Sequence, residues 1–225
     1  AIIETYREPS SRLAASRRFL ESGEGHPRYW QIRFELGNLL ELTFDAEGAI
    51  DHWLSLLEEL PDSTTTADLK RLRSQTLFTI GNAYWNLGKL EEALATFRSY
   101  VSEFSDSAEW AQSQSNCIEL EAQICERLLD DENYSEARSA IADFSQKYPI
   151  HRKTLSLLYR SAHTWAREAR KNLENPDSSA SSEEQTGKLF ERTIEALRAL
   201  NGKYPSANQG QRALFDVGVI LEEDL

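Results

Sequence analysis

The sequence repeats itself at a fixed offset of 44 residues, and this period constrains the fold more than any other feature. Residues 34–63 align with residues 78–107 without a gap. The matched pairs are Phe34 with Phe78, Gly37 with Gly81, Asn38 with Asn82, Ala49 with Ala93, and Trp53 with Phe97. A fixed period of this size indicates stacked repeats, in which each unit buries its apolar face only against its neighbours. Such a chain is expected to be a binding or assembly scaffold.

The composition favours helices over strands. Only 10 glycines and 6 prolines interrupt the 225 residues, and the good helix formers Leu, Ala, Glu and Arg are abundant. With 40% hydrophobic residues, the chain has enough apolar side chains for a core. We therefore predict an all-α fold.

The chain is acidic, with a formal net charge of −12. A protein that binds nucleic acid needs a basic footprint to displace counterions, and no stripe of Lys and Arg is present in the sequence. We therefore expect no nucleic-acid partner. The acidity indicates a solubilising surface, or one that attracts a basic partner.

The cysteines and the chain's apolar segments predict neither a disulfide nor a membrane-spanning helix. Cys117 and Cys125 are eight residues apart on one predicted helix, about 12 Å, which is too far for a disulfide. No apolar run approaches the ~20 residues that cross a bilayer. Since the chain opens at Ala1 and contains no Met, we expect a processed or excised piece, with any signal peptide or lipid anchor upstream.

Caps, turns and prolines place the repeat boundaries. We predict one solenoid domain over 1–225, made of a capping helix (1–26), four repeats (27–62, 63–106, 107–149 and 150–205) and the first helix of a truncated fifth repeat (206–225). The fourth repeat is interrupted by residues 175–187, where Ser, Asp and Glu leave almost nothing apolar to offset the entropy of ordering. We predict a flexible loop there, followed by a helix over 188–203.

The second repeat resembles the tetratricopeptide repeat. The family pattern of large, small and aromatic positions is met by Leu77, Ile80, Gly81, Tyr84, Ala93 and Phe97. The first repeat is similar, with Leu36, Gly37, Leu40, Ala49, Trp53 and Pro61. The third is looser, with Cys125 at the small position, and in the fourth that position is Ala162 or Ala169, of which the spacing from Pro149 favours Ala162. The resemblance implies a right-handed α–α superhelix of about four to five helix pairs with long helices.

Two features refine the resemblance. The family period is 34 residues, so these repeats carry extra residues, mostly ahead of their first helices. The endings Tyr148-Pro149 and Tyr204-Pro205 are each followed 13 residues after the proline by a small residue. They resemble the bacterial cell-envelope branch of the family, which includes outer-membrane-assembly lipoproteins and TolA-binding proteins. This favours a periplasmic or cell-envelope location over the cytoplasm.

In the family, the first helices of the repeats line a concave groove. Transferred residue by residue, the resemblance implies groove positions at Phe34, Asn38, Glu41, Leu42, Phe78, Asn82, Trp85, Asn86, Ala122, Glu126, Leu129, Tyr159, His163, Arg167 and Phe215. Four of the five repeats have an aromatic residue at the same position of the first helix: Phe34, Phe78, Tyr159 and Phe215. We interpret that column either as anchors for an extended or helical segment of another protein, or as rings that only pack between neighbouring helices.

No catalytic, cofactor or metal site is expected. The four histidines lack metal-ligand spacing, and no GxSxG, P-loop or GxGxxG sequence is present. The clamp that some family members use to hold a partner's C-terminus needs Lys or Arg around a paired Asn. In this chain the corresponding groove positions are Phe34, Phe78, Glu119 and Gln123, so we do not expect a clamp of this kind.

Two functions follow as hypotheses. The first is a non-catalytic scaffold for protein–protein interaction, which binds a protein or peptide segment in the groove. The second is a structural module that spaces or assembles other domains through its ends, where Leu214 to Leu221 carry apolar residues. We expect no enzymatic activity in these residues.

Overall fold

The computed structural model describes residues 8–61, 66–174 and 180–224, and all regular secondary structure within them is α-helix. The helices are α1 (Pro9–Leu20), α2 (Tyr29–Leu42), α3 (Ala46–Glu59), α4 (Ala67–Asn86), α5 (Leu90–Glu103), α6 (Trp110–Asp130), α7 (Tyr134–Lys147), α8 (Thr154–Ala162), α9 (Thr164–Glu174), α10 (Ala180–Lys203) and α11 (Asn208–Glu223). The predicted all-α fold is confirmed. Consecutive helices that pack together include α2 with α3, α4 with α5, α7 with α8 and α10 with α11, as in an α–α solenoid.

The chain divides into two compact units, Ala1–Leu120 (unit 1) and Glu121–Leu225 (unit 2), with the boundary inside α6. The prediction of one solenoid over 1–225 concerns the arrangement of these units, and it stays a prediction.

Unit 1 contains two helix pairs, α2 with α3 and α4 with α5. The Asp45 side chain caps α3 by accepting a hydrogen bond from the backbone N–H of Gly48, and Thr66 caps α4 in the same way through Leu69. The pairs are joined by a core that contains Leu40, Ala49, Ile50 and Trp53 of the first pair with Ile80 and Ala83 of α4.

Within each pair of unit 1, a glycine of the first helix receives an aromatic ring of the second. A Cβ on Gly81 would lie 2.9 Å from Cζ of Phe97, and a Cβ on Gly37 would overlap the indole ring of Trp53. Both rings are fully buried. Glycine at these positions therefore allows the two helices to approach closely enough to bury the ring between them.

The turn after the first helix has the same backbone geometry in three successive repeats. Phe44, Gly88 and Glu132, each 44 residues apart, have positive φ angles of 64°, 72° and 59°. The residue that follows each of them donates its N–H to the carbonyl five residues earlier, at 2.9–3.0 Å. The turn is thus a repeated helix ending that favours glycine, although only Gly88 supplies one.

Unit 2 packs α8, α9 and α11 against α10. Its core cluster is formed by Ala162, Ala166, Ala169, Phe190, Ile194, Leu197, Leu200, Ala213, Val217 and Ile220. The first helix of the fourth repeat is broken at His163 into α8 and α9. Both candidates for the small position, Ala162 and Ala169, are buried in this core, one on each side of the break.

The predicted loop at 175–187 is wrong for residues 180–187, which form the first two turns of α10. Residues 175–179 lie outside the described residues. The prediction relied on the lack of apolar residues, but Glu184 pairs with Lys188 one turn later at 2.6 Å, and Thr186 is buried. Glu, Gln and Lys also favour helix, so α10 begins well before the predicted start at 188.

Replacing Gly37 with Ala should lower the free energy of unfolding by about 1–3 kcal/mol, because the new Cβ overpacks against Trp53, a ring without room to move. The matched control is Gly202→Ala in α10, where a Cβ would meet nothing within 4 Å. It should leave the value unchanged or raise it by up to about 1 kcal/mol. Urea unfolding followed by circular dichroism measures both. Equal behaviour of the two variants would contradict the tight Gly–Trp contact.

Candidate partner-binding site

Four of the predicted groove residues lie along the C-terminal half of α4. Phe78, Asn82, Trp85 and Asn86 are three or four residues apart or adjacent, so that they share one side of the helix. Phe78 and Trp85 are half-buried, and Asn86 is exposed. This stretch of α4 offers two aromatic rings and two amides side by side.

Contacts with α5 hold both rings in place. The Phe78 ring meets the edge of Phe97 at a centroid distance of 5.7 Å and that of Tyr100 at 5.7 Å. Trp85 meets Phe97 from another side at 6.3 Å. Since Phe97 and Tyr100 are fully buried, their positions are fixed by the core, and they fix the half-exposed rings in turn.

The two amides differ in what they can offer. Nδ2 of Asn82 donates a hydrogen bond to the carbonyl of Phe78 in the same helix at 3.0 Å. Its Oδ1 is therefore the group that can accept from a ligand. The exposed amide of Asn86 can donate and accept.

On α2, the structure uses Phe34 for packing. Its ring lies 6.5 Å from that of Trp53 and joins core residues from both helix pairs of unit 1. Its carbonyl accepts a hydrogen bond from Nε1 of Trp53 at 3.2 Å. Asn38 is half-buried, one turn further along α2. Of the two interpretations of the aromatic column, packing between helices describes Phe34 best.

In unit 2, Tyr159 and His163 face α11. The hydroxyl of Tyr159 donates to Oδ2 of Asp216, and Nε2 of His163 lies 3.0 Å from the same oxygen. Burial, together with Asp216, raises the pKa of Tyr159 to about 12. Because both donors converge on one carboxylate oxygen, the cluster ties α8 to α11 and provides no activated nucleophile.

Arg167, one turn after His163, and Phe215, next to Asp216, are the other two predicted residues of unit 2. Arg167 is exposed and lines a charged cavity of about 430 Å³ with Glu132, Tyr134, Arg170, Lys171 and Glu174. Phe215 is 72% exposed on α11. The residues predicted for unit 2 therefore do not form a single surface of the α4 kind.

Sequence reasoning missed an apolar cavity of about 330 Å³ in unit 2. Ile141 of α7, Leu158 of α8, Trp165 of α9 and Leu200 of α10 line it. At its edge, the guanidinium of Arg138 lies over the Trp165 ring at 4.8 Å. The residues come from four helices and share no sequence spacing. The only local signal is the pair Ala196 and Ala199, whose short side chains leave room on α10.

Unit 1 also has a cavity, of about 400 Å³, between the start of α4 and the turn after α5. Its lining is Ala67, Lys70, Arg71, Ser74, Gln75, Phe104, Asp106, Ser107, Ala108 and Glu109. Near it, the Tyr100 hydroxyl donates to Ser107 at 2.8 Å, which helps to order the turn.

The described residues offer little support for a metal site, a reactive thiol or a membrane-spanning helix. Within the described ranges, no group of three or more His, Cys, Asp or Glu side chains could hold a metal ion. Cys117 and Cys125 are buried and not joined in a disulfide, and burial raises the pKa of Cys125 to about 11, so its thiolate is scarce near neutral pH. Among the described helices, none is both long and apolar enough to span a bilayer.

A family model for the tetratricopeptide repeat matches residues 75–107, which run from α4 through α5 into the following turn. Among solved structures, the chain is similar to the TPR2AB domain of yeast Sti1 in complex with pHSP90 (13% identity, TM-score 0.41), covering 92% of this chain and 88% of that chain. It is also similar to the TPR domain of P58(IPK), with 15% identity, a TM-score of 0.38, and coverage of 96% and 62%.

A third similar structure contains TPR-like repeats of a kinesin light chain from Podosopora anserina, with 12% identity, a TM-score of 0.35, and coverage of 88% and 86%. No curated protein matches the sequence. The resemblance to the tetratricopeptide repeat is thus supported by the family match over the second helix pair.

Unit 2 should lose stability as the pH falls, because burial lowers the pKa of His163 from its ordinary 6.5 against the opposing effect of Asp216. A lowered pKa means that the folded state binds the proton more weakly than the unfolded state. The contribution of neutral His163 to the free energy of unfolding is therefore present above about pH 6.5, and it is lost as the pH falls through the lowered pKa.

Thermal unfolding at about pH 8 and about pH 5.5 measures this. His163→Gln, whose amide can still donate to Asp216, should reduce the difference between the two midpoints. His52 in unit 1 is bonded to the carbonyl of Arg33 at 2.8 Å, and burial lowers its pKa too. His52→Gln should therefore reduce the difference between the two midpoints by a further, independent amount. An unchanged pH dependence in both variants would contradict the assignment.

Proposed function

We propose that this chain is a non-catalytic scaffold for protein–protein interaction, and that α4 of unit 1 binds an extended or helical segment of a partner protein. The observation that supports this most is the pair of half-exposed rings on α4, Phe78 and Trp85, both held by the buried ring of Phe97. Rings that are already fixed lose little freedom when a ligand covers them, so more of the contact energy is available for binding.

The amides beside the rings suit a peptide ligand. Asn82 offers an acceptor, and the exposed Asn86 offers both a donor and an acceptor. A peptide backbone presents N–H and C=O groups that need such partners when water is removed. The proposed site thus combines apolar anchors with groups that can satisfy a main chain.

The proposal gives the other predicted residues secondary roles. Phe34 supports α4 through the core that it shares with Ile80 and Ala83. Asn38 is half-buried on α2 and stays a predicted groove residue. Tyr159 and His163 tie α8 to α11 through Asp216, and Arg167 and Phe215 are exposed.

We also propose a bacterial cell-envelope context for this protein. The support is the resemblance of the Tyr148-Pro149 and Tyr204-Pro205 endings to that branch of the family. A signal peptide with a lipobox cysteine upstream of Ala1 would support this context, and a cytosolic domain there would contradict it.

Replacing Trp85 with Ala should weaken peptide binding by about 30-fold or more, the loss expected when an aromatic anchor worth about 2 kcal/mol is removed. The probe is a peptide selected from a random 16-residue display library on the immobilised full chain. Its affinity for each variant is measured by isothermal calorimetry.

The matched control is Trp110→Ala. Trp110 is also half-buried in unit 1, and it lies at the start of α6, outside the α4 surface, with its Nε1 donating to the carbonyl of Val101. This variant should lose stability and keep its affinity. Equal affinity losses in the two variants, or none in Trp85→Ala, would contradict the α4 site.

A second candidate function, self-assembly, is favoured by α11. Leu214, Phe215 and Leu221 are 56%, 72% and 48% exposed there, and a Cβ on Gly218, which lies between them, would meet nothing within 4 Å. Two copies of α11 that cross antiparallel at Gly218 would place Phe215 against Leu221.

If α11 mediates assembly, the chain should dimerise in sedimentation equilibrium, and Phe215→Ser should weaken the dimer by at least about tenfold, since it removes the largest buried ring of the interface. Leu173→Ser in α9, where the side chain is 54% exposed, is the control and should change nothing. A wild-type chain that stays monomeric at several hundred micromolar would exclude this candidate.

A further inference from the structure

We propose that the turn between α2 and α3 is a second docking point, separate from the α4 site. There, the exposed ring of Phe44, with Leu42 beside it, inserts into an apolar pocket of a partner protein, and the rim of that pocket is basic. We call Leu42, Phe44 and Leu87 the turn patch.

The backbone at Phe44 is unfavourable for its residue type. Its φ of 64° lies in the left-handed region, which costs a residue with a Cβ more than it costs glycine. The same turn one repeat later uses Gly88, with a φ of 72°. Both residues donate their N–H to the carbonyl three residues earlier, to Glu41 at 3.0 Å and to Trp85 at 2.9 Å. A glycine at position 44 would therefore make the same turn without the strain.

The side chain of Phe44 is not buried by the part of the chain that the structure describes. It is 99% exposed, so its whole ring is in water. Glu132, the third residue at this turn position, also has a Cβ and a positive φ, but its carboxylate forms an ion pair with Lys171 at 2.9 Å. Phe44 thus combines an unfavourable backbone with an unfavourable exposure, and a contact outside the chain is what would offset both.

The apolar surface extends beyond one ring. Leu42 is 62% exposed at the end of α2, and Leu87 is 40% exposed at the equivalent end of α4. The two turns are joined by an ion pair between Lys89 and Glu47 at 2.8 Å. The turn patch therefore presents three large apolar side chains along one edge of unit 1.

The charge around the turn patch selects the partner. Residues 41–47 carry three carboxylates, Glu41, Asp45 and Glu47, and no Lys or Arg, while Lys89 of the next turn pairs with Glu47. The C-terminal carbonyls of α2 add partial negative charge at the same end. A partner pocket with Lys or Arg at its rim complements this surface, whereas an anionic membrane would be repelled by it.

The first test is stability. Phe44→Gly and Phe44→Asn should each keep or raise the midpoint of urea unfolding of the full chain, because Gly and Asn adopt positive φ angles readily. A fall in the midpoint in both variants would show that the ring packs within the fold, and it would overturn the proposal.

The second test identifies what the ring touches. The photoreactive residue p-benzoylphenylalanine replaces Phe44 in one sample and Leu54, which is 38% exposed on α3, in a control. Both chains are irradiated in a lysate of the source cells, and adducts specific to position 44 are identified by mass spectrometry. The protein found is then purified, and its affinity for the wild type, Phe44→Gly and Leu54→Ser is measured at low and high salt.

We expect about a tenfold or greater loss of affinity in Phe44→Gly, no loss in Leu54→Ser, and weaker wild-type binding at high salt. The absence of an adduct specific to position 44, an adduct with a second copy of this chain, equal affinities, or Phe44-dependent binding to phosphatidylserine vesicles would each overturn the proposal. Since Trp85→Ala tests α4 separately, either site can fail without the other.

Discussion

The structure of unit 1 depends on the fit of one ring against one glycine in each helix pair. Trp53 lies against Gly37 and Phe97 lies against Gly81, in each case so closely that a methyl group on the glycine would overlap the ring. This contact sets the distance between the two helices of a pair. It also places Phe97 at a fixed position under α4. The orientation of Phe78 and Trp85, and with it the proposed binding site, follows from that position.

The part of the fold that depends on this contact could be predicted from the sequence. The 44-residue offset aligns Gly37 with Gly81 and Trp53 with Phe97, and these are the residues that pack together. The caps Asp45 and Thr66 hold their helices through local hydrogen bonds, which short-range patterns such as Asp-x-x-Gly can indicate. Helix caps and the packing of repeated positions can therefore be predicted from a single sequence.

Features that depend on contacts between distant segments were not predictable in this way. The start of α10 is an exception, because its helix propensity and the local Glu184–Lys188 pair could be read from the sequence, and the prediction failed by weighing only the lack of apolar residues. The break at His163 and the convergence of Tyr159 and His163 on Asp216, more than 50 residues away, required the packing of α8 on α11. For the candidate site, the sequence indicated which residues share a face of α4. It could not separate them from Phe34, whose ring is used for the core.

The most direct test of the glycine–ring contact is the chemical shift of the glycine Hα protons in a nuclear magnetic resonance spectrum of the full chain. A proton that points at the face or edge of a fixed aromatic ring experiences its ring current, and Gly37 lies against Trp53 while Gly202 has no neighbour within 4 Å of a Cβ. We predict Gly37 and Gly81 Hα shifts displaced by ring currents relative to that of the helical control Gly202, with nuclear Overhauser contacts to the rings of Trp53 and Phe97. Ordinary shifts without ring contacts at Gly37 and Gly81 would contradict the account.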